Sequence, residues 1–136
     1  MFGSLDISAS GLAAQRTQLN VVAGNVANMY SHGEDGEPYR RRVALFAPGN
    51  PALGDDAPGV HVSRVISDPA PFRLEYDPSH PYAIQSGENQ GYVRMSNVDQ
   101  STEMVNAMMA ARAYEANVTV MEITKSMAAA SLRLLA

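Results

Sequence analysis

The sequence predicts an α+β protein: long N- and C-terminal helices packed as a coiled-coil-like pair, with a small β-rich, loop-rich insert between them. Three observations carry that reading. Residues 97–136 contain no Pro and no Gly and carry apolar side chains at helical spacing. Residues 1–30 contain no Pro and only two charged side chains, Asp6 and Arg16. Residues 31–96 hold all eight prolines, seven of the ten glycines and nine of the fourteen acidic groups. The expected organisation is therefore an N-terminal helix in 1–30, a Pro/Gly-containing insert in 31–96 and a long C-terminal helix in 97–136, the two helices forming one core.

In the first segment Leu5, Leu12, Leu19 and Val26 recur every seven residues. The spacing predicts a helix from Leu5 to about Asn28, ~36 Å long at 1.5 Å per residue, with Ser4 as its N-cap. Gly11 and Gly24 each weaken it by roughly 1 kcal/mol relative to Ala, so the heptad stripe needs a partner helix.

The insert has strand-like patches at Val43, Leu45 and Phe46, at Val60, Val62, Val65 and Ile66, and at Phe72, Leu74 and Tyr76. Turn signals separate them: Gly33–Gly36, Pro48–Pro51, Asp68-Pro69, Asp77-Pro78 and His80-Pro81. Short strands joined by long loops are expected, including a loop over 47–59.

The C-terminal helix is expected to start at Asn97, with Asn97 and Gln100 forming a capping box and Asp99 and Glu103 favouring the positive end of the helix dipole. One apolar stripe runs Met104, Ala107, Ala111, Tyr114, Val118, Met121, Ala128, Leu132 and Leu135, broken by Lys125; a second runs Met109, Ala113, Ala116, Val120, Ile123, Met127, Ala130 and Leu134. The remaining polar strip holds Glu103, Asn106, Arg112, Asn117, Thr124 and Ser131. Forty residues span roughly 60 Å, against a diameter of ~40 Å for a compact chain of this size. The first stripe suits intramolecular packing and intermolecular packing equally. The second has no partner within the chain, which makes it an interface with other molecules.

These stripes nominate a subunit interface. It comprises Leu5, Leu12, Leu19 and Val26 on the first helix. On the second it comprises Met104, Met109, Tyr114, Val118, Val120, Met121, Met127, Leu132 and Leu134. Asn25, Asn28 and Asn117 are expected to hydrogen-bond near the packed helices.

Composition excludes several function classes. A net charge of −4 gives no basic face for nucleic acid. Cysteine is absent, so there is neither a disulfide framework nor a thiolate metal site. No uninterrupted apolar run exceeds five residues, too short for membrane insertion, and the first thirty residues lack the basic leader and apolar block of a secretory signal. His32, His61 and His80 lie in separate contexts without ligand spacing, and the Glu34, Asp35, Glu37 cluster lacks the oxygen positions of a calcium loop. Arg40, Arg41 and Arg42 are expected to pair with that acidic turn or with an acidic neighbouring subunit. No nucleophile motif, phosphate loop or dinucleotide fingerprint is present. Neither catalysis, a cofactor nor a metal is expected.

Several segments resemble a known family. Gly91-Tyr92-Val93-Arg94-Met95-Ser96-Asn97-Val98, then Glu103-Met104-Val105, Ala111-Arg112-Ala113-Tyr114-Glu115-Ala116-Asn117-Val118 and Thr124-Lys125-Ser126-Met127, resemble the C-terminal pattern of FlgC, the proximal rod family among flagellar rod and hook axial proteins. Leu12-Ala13-Ala14-Gln15 and Leu19-Asn20-Val21-Val22-Ala23-Gly24-Asn25-Val26-Ala27-Asn28 are similar to the N-terminal segment that axial subunits share. Tyr39–Arg42, Asp68–Pro71 and Tyr76–Pro81 agree in order and spacing. The chain departs from the pattern at Met29-Tyr30-Ser31-His32. The resemblance implies a rod subunit of the bacterial flagellar basal body, exported by the flagellar type III apparatus without a cleaved signal. Its partners would be further copies of itself, other rod subunits, and adjacent ring and adaptor proteins. It implies a periplasm-spanning location and terminal helices that surround an export channel and carry torque. Two rivals are another type III-exported axial subunit, of a different rod or needle type, and a small enzyme built on the insert.

Overall fold

Alternating steps of three and four residues organise both long helices in the computed structural model, which describes residues 2–54 and 57–135. Helix α1 spans Phe2–Asn28 and helix α2 spans Gln100–Leu135. Between them lie four strands, β1 (Arg42–Pro48), β2 (Val60–Ser67), β3 (Arg73–Tyr76) and β4 (Tyr92–Met95). The architecture is the expected α+β arrangement, two terminal helices flanking a strand-rich insert. Met1, Ala136 and the side chain of Leu135, which belong to the expected helices and stripe, lie outside the described residues, as do positions 55 and 56 of the 47–59 loop.

Asn25 meets Glu103 near one end of the helix pair, and Gly11 meets Asn117 further along it. A step up α1 is thus a step down α2, and the pair is antiparallel. The seam on α1 follows Ser8, Gly11, Gln15, Gln18, Val22, Asn25 and Met29, all buried or half-buried. On α2 it follows Glu103, Ala107, Ala110, Tyr114, Asn117, Met121, Thr124 and Ala128, with Tyr114 at its margin. Both runs keep the 3.5-residue period of coiled coils. The expected pairing is right, but the seam is not the leucine heptad. It mixes small, polar and apolar side chains, and at Gly11 it leaves no room for a leucine. A Cβ there would sit 2.8 Å from Asn117 Nδ2. Half of the polar strip on α2, namely Glu103, Asn117 and Thr124, lies in this seam.

Strands β1 and β2 form an antiparallel hairpin with Arg42 opposite Ser67, and a bulge after Leu45. The bulge leaves Ser63 unmatched, and its hydroxyl donates to Leu45 O. The hairpin packs on a second face of α1, where Ser10 Oγ donates to Ile7 O and accepts from Val60 N. Gly59, at φ +151°, makes this docking possible, since a Cβ there would fall 2.6 Å from that hydroxyl. β3 and β4 form a second antiparallel pair, Arg73 opposite Met95 and Tyr76 opposite Tyr92. β4 is a strand that the turn-and-alternation reading passed over; four residues with a central Arg are too short to show a period.

Two expected helix starts need correction. Ser4 stands inside the first turn of α1, not before it. At α2 the cap is Asp99, whose Oδ1 accepts Thr102 N at 2.7 Å while its carbonyl takes Glu103 N. This hydrogen bond from the Thr102 backbone is the main reason the Asp99 carboxyl lies below its ordinary pKa. Asn97 is occupied elsewhere: its Oδ1 accepts Arg41 N at 2.8 Å, and its Nδ2 donates to the carbonyls of Asp68 and Ala70.

Candidate assembly interface

The helix pair and the insert are joined by one polar network at the base of α2. Glu103 is completely buried, 0% exposed, yet both its oxygens are satisfied. Oε1 accepts Arg41 Nε at 2.7 Å and Oε2 accepts Asn25 Nδ2 at 2.9 Å. Asn25 also donates to Arg42 O and accepts from Arg42 N, so its carboxamide pairs with the start of β1 as a neighbouring strand would. Tyr39 Oη donates to the same Asn25 oxygen. Arg41 reaches on to Asp68 at 3.1 Å. Burial opposes the Arg41 charge, but its hydrogen bonds to Glu103 and Asp68 outweigh that and raise its pKa above the ordinary value. The Asp68 carboxyl is held below its ordinary value, first by Ala70 N and then by Arg41. A buried carboxylate with both oxygens paired is tolerated, whereas an unpaired one costs several kcal/mol. The network therefore fixes α1, the insert and α2 in one geometry.

This arrangement corrects the expected pairing of the arginines. Arg41 bonds Asp68 and Glu103, not the acidic turn. Arg40 donates to the carbonyls of Asp68 and Ala70, with its guanidinium 4.0 Å from the Phe72 ring centre. The partner of Glu37 is Arg94. His32 and His80 are not separate: their rings lie 5.4 Å apart, and His32 stacks on Tyr82. Among the described residues no group of three or more metal-ligating side chains converges, and no helix is long and apolar enough to cross a membrane.

Along the helix pair, two apolar surfaces are open among the described residues. The first is a trough of about 490 Å³ beside the helix seam, walled by Leu19, Val22, Ala23 and Val26 of α1 and by Met104 and Ala107 of α2, with Glu103 contributing and Asn20 and Gln100 adding polar groups. The leucine heptad of α1 and the first stripe of α2 both contribute to this wall. The second is a flank of α2 beside the seam, where Val105, Met109, Val120, Ile123 and Met127 are all exposed. An apolar flank that its own chain leaves exposed requires cover from another molecule.

The nominated residues distribute as follows. Leu5, Leu12 and Leu19 are half-buried, and Val26 is at the edge of exposure. Met104, Met109, Val120, Met127, Leu132 and Leu134 are exposed, Leu134 at 89%. Val118 and Met121 are half-buried, as is Asn117 against Gly11. Asn25 is the hydrogen-bonding hub. Asn28 Nδ2 donates only one turn back, to Gly24 O. Glu103, Arg41 and Asn97 escaped the sequence reading as a joined set, since they lie 56 to 62 residues apart in pairs with Arg41. A glutamate amid apolar residues at a coiled-coil position was the available signal.

Comparison with known proteins points the same way. Residues 5–30 match the model described as "Flagella basal body rod protein", and residues 89–134 match "Flagellar basal body rod FlgEFG protein C-terminal". The chain is 41% identical over 148 aligned residues to the flagellar basal-body rod protein FlgC of Borreliella burgdorferi, covering 99% of this chain and 97% of the relative. It is 45% identical to the FlgC proteins of Yersinia enterocolitica and Salmonella typhimurium, each over 95% of this chain and 93% of the relative. The two matched segments are the two long helices with the approach to α2, the parts that carry Asn25 and Glu103 of the network and the open apolar faces. Near full-length identity at this level, over both helices and the insert between them, shows that the chain belongs to the FlgC family of flagellar basal-body rod proteins.

Proposed function

We propose that this structural rod subunit polymerises through its terminal helices into the tubular drive shaft of the basal body, surrounds the export channel and transmits torque. The observation that carries this reading is the exposed apolar flank of α2 beside its seam with α1, formed by Val105, Met109, Val120, Ile123 and Met127. Each medium-sized apolar side chain buried there contributes roughly 1.5–3 kcal/mol, against about 1–2 kcal/mol per residue for ordering backbone. Several such contacts per subunit make growth on an existing end favourable where a lone subunit gains little. Torque would pass through the packed helices and, by way of the Glu103 network, into the insert. Its partners would be copies of itself, other rod subunits, adjacent ring and adaptor proteins, and the type III export apparatus, which it would leave without a cleaved signal.

The test is Val120→Asp, on that flank, in preference to Val118→Asp, because Val118 is half-buried within the subunit. The variant is expected to keep its helical circular dichroism and to be exported, yet to fail to enter the rod and to abolish motility. Normal incorporation would refute the assignment of this side to subunit contacts.

A further inference from the structure

The trough and the far end of α2 complement each other at opposite ends of one molecule. Counting on from the Gly11–Asn117 contact, Gly3 lies opposite about residue 125, so α2 runs past α1 by about ten residues, ~15 Å. That projecting end is apolar and bare, with Leu132 68% exposed. The trough follows α1 from Leu19 to Val26, ~10 Å of helix, so the projecting end is long enough to fill it. Charge matches as well. The trough opens at the N-terminus of α2, beside the exposed carboxylate of Asp99, while the projecting end carries Arg133. The one carboxylate in the trough wall, Glu103, is already paired with Arg41 and Asn25 and presents no unsatisfied charge to an apolar occupant.

We propose that the projecting end of α2 from one copy occupies the α1/α2 trough of another copy. This rests on the reading of the chain as a polymerising subunit and names the pair of surfaces that meet. A contact between different surfaces at opposite ends does not close on itself. Repeated, it generates an open helical array when the rotation does not close, and every subunit added leaves one free trough and one free helix end.

Cysteine is absent from the sequence, so the contact can be read by disulfide trapping in the full-length chain. Ala23→Cys, in the trough wall, and Leu132→Cys, on the projecting end, are exposed substitutions that leave the seam intact. The separately purified variants are mixed in sulfate-containing buffer, which strengthens apolar burial, then oxidised and run on a non-reducing gel. A mixture of Ser86→Cys, on the exposed loop between β3 and β4, with Leu132→Cys serves as control. The expected result is at least ten-fold more mixed-chain disulfide for Ala23→Cys with Leu132→Cys than for the control, in the sedimenting fraction. Sedimenting polymers in which the control pair cross-links as well or better would overturn the trough contact alone. No sedimenting species at any concentration would overturn the polymerising-subunit reading together with it.

Discussion

Removing the Glu103 carboxylate tests whether the polar network, and not helix packing alone, sets the geometry of the subunit. In Glu103→Ala two buried donors, Arg41 Nε and Asn25 Nδ2, lose their acceptor, and a small cavity opens. Truncating one partner of a buried pair typically costs 3–5 kcal/mol. Arg41 keeps Asp68 and has 19% of its side chain exposed, so water can partly replace the lost contact. The expected loss is therefore about 2–4 kcal/mol. Glu103→Gln keeps the shape but turns one acceptor into a donor facing another donor, with an expected cost of about 1–3 kcal/mol. Urea unfolding of dilute protein, followed by circular dichroism at 222 nm, gives both values. Asn25→Ala with Glu103→Ala closes a double-mutant cycle, whose coupling should be about 1 kcal/mol or more. A Glu103→Ala loss below about 0.5 kcal/mol, with additive single effects, would refute the argument, since a surface residue behaves that way.

The two helical glycines should respond in opposite ways. Nothing lies within 4 Å of a Cβ at Gly24, so Gly24→Ala should stabilise by about 0.5–1 kcal/mol; Gly11→Ala should give no gain or a loss, because Asn117 must move, and paired urea melts compare them. Gly59→Ala should cost about 1–3 kcal/mol through its positive φ and the clash with Ser10, and should raise amide exchange at Val60, whose N–H bonds that hydroxyl. In acid, the Asp68 contribution has a definite sign. Its folded pKa lies below the ordinary 3.8, so the stabilisation is present above that value and is lost as pH falls through the folded pKa. Acid unfolding of Asp68→Asn should lack this component, and an unchanged acid profile would remove Asp68 from the network.

Periodicity, punctuation and composition were enough for the architecture. An apolar, breaker-free tail, a Pro-free head and a breaker-rich middle carry local propensities that tertiary contacts did not override, so two helices around a strand-bearing insert follow from residues alone. The apolar excess of α2 was legible too, because more apolar faces than partners can be counted along a sequence. Which face lies inward was decided by tertiary structure. Leu5, Leu12, Leu19 and Val26 look like a seam, yet the seam is Ser8, Gly11, Gln15, Gln18, Val22, Asn25 and Met29. At Gly11 the seam has no room for a larger side chain, and at Asn25 and Glu103 it pairs polar groups, and apolar periodicity registers neither. The role of Glu103 also required the fold. A carboxylate in a first helical turn reads as a dipole partner of a solvated helix end, and only the arrival of Arg41 and Asn25, 62 and 78 residues away, makes its complete burial tolerable. Local chemistry wrote the elements; the pairing of buried charge across the chain set how they meet.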